Sequence, residues 1–582
     1  MQEVESQTKK TRKNGSQGID EKQICESEVT YDDLLSSAGE FGLYQVILFL
    51  STFPFNVFAV ISYFNQLFIT QVSPNHWCYI PELGNLTELQ RKTLAIPVDD
   101  TARFGYSQCS AYVTNWTDVL ASGITAADPT WSTESCKNGW EFNKSEIPYT
   151  TISSELGWVC DKDSYQATAQ SIFFVGAIVG GLVIGWFADH FGRLPATAAC
   201  NVIGGIAGVI SIFAKDFTQF AICRFFMGIS WDNCMMMVYL LVLEYVAPKY
   251  RTLIANLPVA VFFALGACVI PYVALACDNW KLFSLVTCIP MTFAILAPFL
   301  MPESARWLLS VGRTDDAIKR IQKIGQVNKK EVPLKLIEKF KDRISKQKED
   351  TKYSAIDLLK RSTLRKIFIC ICTGYMCCTI TFDALIRSIG SLDFDFFLSF
   401  SVISFTEFPS LCLVSFILDL TGRKWLSVFV LSIACISSVL TAFVGGGLPS
   451  VICAVVARFA LNMAVNTYTQ WAAEMLPTTV RGTGMSVIHI CGCVATVISP
   501  FIVYLEVYYY WLPLVIAGCM AAFGAVVSLI LPETASKELP QTFEDAETIR
   551  KEMRRSCEEY LNIPMKIDCQ FIIRKHSNFQ LR

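Results

Sequence analysis

Gly185-Trp-Phe-Ala-Asp189-His-Phe-Gly192-Arg193 and Asp419-Leu-Thr-Gly422-Arg423-Lys424 share the spacing Asp-x-x-Gly-Arg, and each follows an apolar run long enough to cross a membrane. Two further pairs keep the same register. Glu244-Tyr-Val-Ala-Pro248-Lys-Tyr-Arg251 is matched by Glu474-Met-Leu-Pro477-Thr-Thr-Val-Arg481, and Pro302-Glu303-Ser304 by Pro532-Glu533-Thr534. Three charged motifs repeated at matched places predict two similar halves. Charged side chains at helix ends on one face can pair, and glycine allows a tight turn between helices. Asp189, Gly192, Arg193, Glu244, Arg251, Asp419, Gly422, Arg423, Glu474 and Arg481 are therefore candidate gating residues, with simple anchoring of topology as the alternative.

The apolar runs around these motifs set the fold class. A spanning helix needs roughly 20 mostly apolar residues. Such runs fall at Leu43–Thr70, Gln166–Phe187, Leu194–Phe213, Phe217–Leu243, Leu253–Leu275 and Leu282–Leu300 in the first half. The second half has Ile367–Ile389, Phe394–Leu418, Trp425–Val444, Ser450–Trp471, Thr483–Leu505 and Trp511–Leu531. The chain of 582 residues is 52% hydrophobic and only 17% charged, more apolar material in longer runs than a soluble core uses. The predicted class is an all-α membrane protein of twelve transmembrane helices in two six-helix halves, 43–300 and 367–531. Residues 1–42, 301–366 and 532–582 are expected on the cytoplasmic face. The polar opening up to Gly42 does not read as a cleavable signal peptide.

Orientation follows the Lys and Arg residues, which stay in the cytoplasm. The central segment 301–366 holds 18 Lys/Arg against 9 Asp/Glu, and the loop 71–165 holds 6 against 12. That loop also carries three sequons, at Asn85, Asn115 and Asn143, and four cysteines, Cys78, Cys109, Cys136 and Cys160. Glycans and two disulfides are expected there, with all three pairings open. The remaining cysteines, such as Cys377 and Cys378, read as small buried hydrophobes. No basic arm for nucleic acid, no metal-ligand spacing, no nucleotide-binding loop and no nucleophile–base constellation stands out. The chain is read as a non-enzyme without cofactor or metal, whose partners are the lipid bilayer, a small substrate and a possible co-transported or exchanged ion.

Beyond the repeated motifs, three stretches are distinctive. Asp32-Asp-Leu-Leu and Gly39-Glu-Phe-Gly42 precede the first span. Cys136-Lys-Asn-Gly-Trp140 and Trp158-Val-Cys160-Asp161 end the outer loop, and Leu539-Pro-Gln-Thr-Phe-Glu544-Asp545 follows the last span. With them the chain, from about Tyr31 to Asp545, resembles the major facilitator superfamily. More narrowly, it resembles the organic cation, organic anion and carnitine transporters of solute carrier family 22. The resemblance implies a plasma-membrane carrier with both termini inside, working by alternating access. Three departures stand out: His190 where the family usually has Arg, four loop cysteines where six are common, and a missing charge in the eleventh span.

Ionisable residues inside spans are costly and are functional candidates by default. They are Arg224 and Asp232 in the fourth span, Asp383 and Arg387 in the seventh, Glu407 in the eighth, Arg458 in the tenth and His489 in the eleventh. For Arg224 and Arg458, at corresponding places in the two halves, a structural or coupling role stands beside substrate contact. Asp383 and Arg387, spaced i, i+4 on one face, can neutralise each other, which is the bland reading beside a functional one. Glu407 has no partner near it in its own span, and the resemblance places it in the central cavity, with Tyr375 and Phe382 as the seventh-span aromatics. A carboxylate with ring faces is a cation-binding arrangement; Phe64, Tyr63 and Trp231 are expected to extend it. Core packing is the bland reading of each ring. Cys493 falls where cation transporters of the family carry Asp and anion or carnitine transporters carry Arg, so the usual reader of substrate charge is absent. Asp232 stands where relatives often have Lys. With Glu407 it tilts the expectation towards cations or amine-bearing zwitterions, organic anions being the alternative. His489, one turn from Cys493, is a titratable candidate. A sugar carrier and a non-transporting receptor-like protein are the rival classes.

Overall fold

The computed structural model describes residues 30–99, 104–246, 257, 259–346, 355–392, 394–477, 480–535 and 540. Among these, twelve helices are long and apolar enough to cross a membrane. Spans 1 to 6 are Leu43–Ile69, Cys160–Phe191, Arg193–Phe213, Phe217–Glu244, Ala260–Cys277 and Trp280–Leu300. Spans 7 to 12 are Leu364–Gly390, Phe396–Thr421, Arg423–Phe443, Leu448–Met475, Arg481–Val507 and Leu512–Ile530. In hydrocarbon every backbone amide must find its partner inside the protein, and a helix achieves that within one segment. Span 2 starts six residues before the hydropathy run, because a helical turn at Cys160–Lys162 carries Asp161 and Asp163 beyond the apolar stretch.

The chain forms two compact units. One comprises Met1–Ser51, Leu240–Ala255 and Pro302–Thr351; the other comprises Thr52–Tyr239, Asn256–Met301 and Lys352–Arg582. In the first unit the helices outside the spans are α1 (Tyr31–Gly39), α2 (Ala305–Ser310), α3 (Thr314–Val327) and α4 (Leu334–Lys346). α1 begins with a capping box in which Thr30 and Asp33 satisfy each other's exposed amides. Its Asp32 pairs with Arg306 of α2, and the Tyr31 hydroxyl donates to the Glu244 carbonyl at 2.9 Å. Burial holds the Tyr31 phenol well above its usual range, so it stays a neutral donor. Gln45 donates to the carbonyls of Gly39 and Tyr245 at 3.3 and 3.2 Å.

In the second unit, glycines set how closely spans 2 and 4 cross. A Cβ on Gly176 would run into the Phe225 carbonyl, and one on Gly228 into that of Phe173. Small residues at such contacts let helix backbones approach in lipid, where no hydrophobic force draws helices together. The close crossing puts Phe173 and Phe174 against Trp231, with centroids 5.8 and 5.7 Å away.

The loop between spans 1 and 2 has its own small core of Trp77, Leu83, Leu94, Ile96 and Trp116. Strand β1 (His76–Cys78) pairs antiparallel with β4 (Trp140–Phe142), and β2 (Ser110–Tyr112) with β3 (Thr133–Ser135). The disulfides are Cys78–Cys136 and Cys109–Cys160. Of the sequon asparagines, Asn85 and Asn115 are exposed and Asn143 is half-buried. Cys377 and Cys378 are buried thiols, in keeping with their reading as small hydrophobes.

Candidate functional site

Two sets of residues singled out by sequence meet in space. The first set is the repeated motifs. Gly422 turns the chain at φ +82°, and the amides of Arg423 and Lys424 at the start of span 9 donate to the Glu533 carboxylate at 2.8 and 3.0 Å. A carboxylate at a helix N-terminus satisfies orphan amides and complements the helix dipole. Arg423 reaches Glu474 at 2.8 Å and Asp419 at 2.9 Å, and Thr534 donates to Glu474 at 2.5 Å. All three second-half motifs therefore converge on one cluster. In the first half Gly192 turns the chain at φ +110°, Arg193 pairs with Asp189 at 2.6 Å, and the Ser304 hydroxyl donates to Glu244. Ser304–Glu244 and Thr534–Glu474 are the same contact made twice, once in each repeat. Arg481 points its guanidinium to the Leu476 carbonyl at 3.2 Å rather than to a carboxylate. Arg251 lies outside the described residues, as does most of the closing motif.

The second set lines a cavity of about 240 Å³ among spans 1, 4, 5, 7, 8, 10 and 11. Its rings are Tyr63, Trp231, Phe263, Tyr375 and Phe382; its charged or titratable groups include Asp232, Glu407 and His489, with Cys493 beside them. Tyr63 stacks on Trp231 at 4.9 Å with 15° between planes. The Tyr63 hydroxyl donates to Asp383, whose carboxylate also takes Arg387 at 2.9 Å, so span 1 is tied to span 7 through a buried pair. The expected i, i+4 neutralisation is present, and the tyrosine joins it.

The expected cation cage differs in its parts. Glu407 does have a partner: Arg458 of span 10 donates from Nη2 to Oε1 at 3.1 Å. Arg458 also lies 3.3 Å over the Phe382 ring and donates to the Phe382 carbonyl at 2.5 Å. The protein's own guanidinium thus occupies one face of that ring and compensates the acid. Arg458 is buried behind the cavity rather than lining it. Phe64 is likewise away from the wall, packed between Tyr63 at 4.6 Å and Phe400 at 5.0 Å. Both placements have one physical origin: helical spacing says which residues share a face, not which neighbouring helix covers it.

Asp232 accepts a hydrogen bond from His489 Nε2 at 2.6 Å, joining spans 4 and 11. Both side chains keep access to the cavity, at 17% and 37% exposure. The sequence reading named both residues but not the contact. It also missed Asn462 and Asn466, which add neutral polar groups to the wall. Asn466 was legible in principle, because it stands eight residues after Arg458 as Asp232 stands eight after Arg224.

Twelve spans, a motif repeat expressed as repeated contacts, and a polar–aromatic cavity among the spans are the architecture of a transporter of the major facilitator type. The fold agrees with solved structures of the xylose transporter XylE from E. coli. Its inward-open form superposes with a TM-score of 0.54 at 14% identity, covering 86% of this chain and 99% of that one. The complex with a bromodeoxyglucose, titled as a proton:xylose symporter, gives 0.53 at 16%, covering 89% and 100%. Residues 122–545 match the Sugar (and other) transporter family. The Drosophila melanogaster carcinine transporter is 31% identical over 89% of this chain and 79% of its own. The Drosophila beta-alanine transporter is 28% identical over 89% of each chain. Human solute carrier family 22 member 13 is 27% identical over 88% of this chain and 92% of its own. The chain belongs to the Sugar (and other) transporter family of the major facilitator superfamily, in its organic cation, anion and carnitine (solute carrier 22) branch.

Proposed function

We propose that this protein carries small organic cations, or zwitterions that expose an amine, across the plasma membrane by alternating access to the cavity at the bilayer midplane. One observation carries the reading: the Asp232 carboxylate opens onto an aromatic-lined cavity with a histidine, not an arginine or lysine, as its counterpart. Ring faces attract a desolvated ammonium by about 0.5–2 kcal/mol, and a carboxylate adds a charged hydrogen bond. Relatives named for carcinine, beta-alanine and organic cations support it. The two halves, 43–300 and 367–531, rock about the cavity. The Asp419–Arg423–Glu474 cluster and its first-half counterpart act as cytoplasmic latches, broken when the site opens inward. The Lys/Arg balance supports cytoplasmic termini and an outer, glycosylated loop 71–165.

The test is uptake in a cell line lacking endogenous flux, with surface expression measured in parallel. Tracer cations, zwitterions and anions are compared with and without membrane depolarisation. Saturable uptake of an amine-bearing tracer is expected. Saturable flux of anions alone would reverse the sign of the substrate, and no flux despite surface expression would favour a receptor-like role.

A further inference from the structure

The acid that recognises the substrate amine is also held by a base that can lose its charge. Asp232 and His489 meet at 2.6 Å on spans 4 and 11, one from each six-helix repeat, and both open onto the cavity. The groups facing the imidazole are Asp232, the Tyr375 phenol of span 7 and the Cys493 thiol of its own span. Across the cavity, Glu407 of span 8 is engaged by Arg458 of span 10. Glu407 therefore has a permanent counter-charge and Asp232 a titratable one.

Two cations then compete for one carboxylate. With imidazolium and substrate ammonium both present, the Asp232 locus carries an uncompensated positive charge; with neither, an uncompensated negative one. Each is expensive in a largely apolar cavity among membrane spans, so the state holding a single cation is favoured. Mutual exclusion at a shared site is coupling, and it is reciprocal: whatever the amine does to the proton, the proton does to the amine.

We propose that this protein is a proton–organic cation exchanger in which Asp232 holds alternately the His489 imidazolium and the ammonium group of the substrate. The step balances simply. The substrate arrives with its charge and gives up no atom. The imidazolium releases one proton to water on the side to which the cavity is open, and neutral imidazole remains. On the other face the substrate leaves, and a proton from that side returns to His489 before the empty carrier reorients. One positive charge moves each way. This exchange rests on the reading of the cavity as an amine site.

The experiment uses the full-length protein in proteoliposomes, with the potential clamped at zero by potassium and valinomycin. The probes are radiolabelled tetraethylammonium and carnitine, whose quaternary nitrogens do not titrate and so are not trapped by pH. With the lumen one pH unit more acid than the bath, uptake should overshoot and approach about tenfold accumulation for one proton per substrate. A lumenal pH dye should report alkalinisation on adding unlabelled probe. For His489→Gln, the ratio of uptake with and without the gradient should fall to about one, whatever its absolute rate. Saturable flux that reaches the same plateau with and without the gradient overturns the exchange and leaves the amine carrier standing. Absence of saturable flux for both probes overturns both. If His489→Gln carries nothing, the wild-type gradient result alone decides.

Discussion

Span 4 carries Arg224 and, eight residues later, Asp232; span 10 carries Arg458 and, eight residues later, Asn466. The two arginines stand at matched places in the repeat and both are fully or almost fully buried, yet their surroundings differ. Arg458 has the Glu407 carboxylate, a backbone carbonyl and the Phe382 ring. Arg224 has the Met227 sulfur at 3.1 Å and the Phe173 ring at 4.8 Å, and its Nε and Nη2 have no hydrogen-bond partner among the described residues. The acids are distributed in the opposite sense. Asp232, in the span of the uncompensated arginine, faces the cavity, while Asn466 in the other span contributes only a neutral amide. The second half thus engages its acid with the buried arginine, and the first half engages its acid with a histidine at the cavity wall. A repeat conserves where a charged residue stands, and the neighbouring helix decides what that charge is for.

The largest test of this contrast is Glu407→Gln, which gives Arg458 the uncompensated state of Arg224. Removing one partner of a buried ion pair costs about 3–5 kcal/mol, so we expect a clear drop in melting temperature of the solubilised protein and loss of uptake. The double variant Glu407→Leu with Arg458→Met should recover most of the stability and none of the transport; an unchanged melting temperature in the single variant would break the contrast. Next is Asp232→Asn, which makes span 4 resemble span 10. Loss of a charged hydrogen bond of about 1.5–3 kcal/mol should weaken cation affinity about tenfold to a hundredfold. Folding should be little affected, because both Asp232 and His489 already reach the cavity. Concentration-dependent uptake and surface biotinylation separate the two effects.

A smaller change is expected at Cys493, which is nearly buried at the cavity wall one turn from His489. Cys493→Asp should raise cation affinity several-fold and Cys493→Arg lower it in favour of anions. If selectivity moves in neither variant, the position does not read charge in this protein. The smallest effect is predicted for Arg224→Met. Among the described residues its guanidinium pairs with no carboxylate, and an apolar chain of similar length fits the site, so stability should stay within about 1 kcal/mol or rise. A melting temperature that falls as far as that of Glu407→Gln would show that Arg224 is compensated after all.

Much of the framework was legible because its signals are local. Each span announces itself by about 20 apolar residues, and the repeated motifs lie next to the span ends. The Asp383–Arg387 pair was legible for the same reason, since one helical turn joins the two residues. Glu407 was not, because its partner is 51 residues away on another span, and a lone acid in sequence looked free. Phe64 and Tyr63 are neighbours in the chain, and only the packing of other spans tells which ring meets the cavity and which meets Phe400.

The sequence by itself determined the twelve spans, the doubled motifs and the short roster of intramembrane charges, since hydropathy acts on the chain segment that carries it. Tertiary structure alone decided the partners: Cys78 with Cys136, Cys109 with Cys160, Glu407 with Arg458, and Asp232 with His489 across 257 residues. A helix fixes the direction of every side chain around its own axis, but the helix it faces is chosen by close packing, and that choice is written in no single segment.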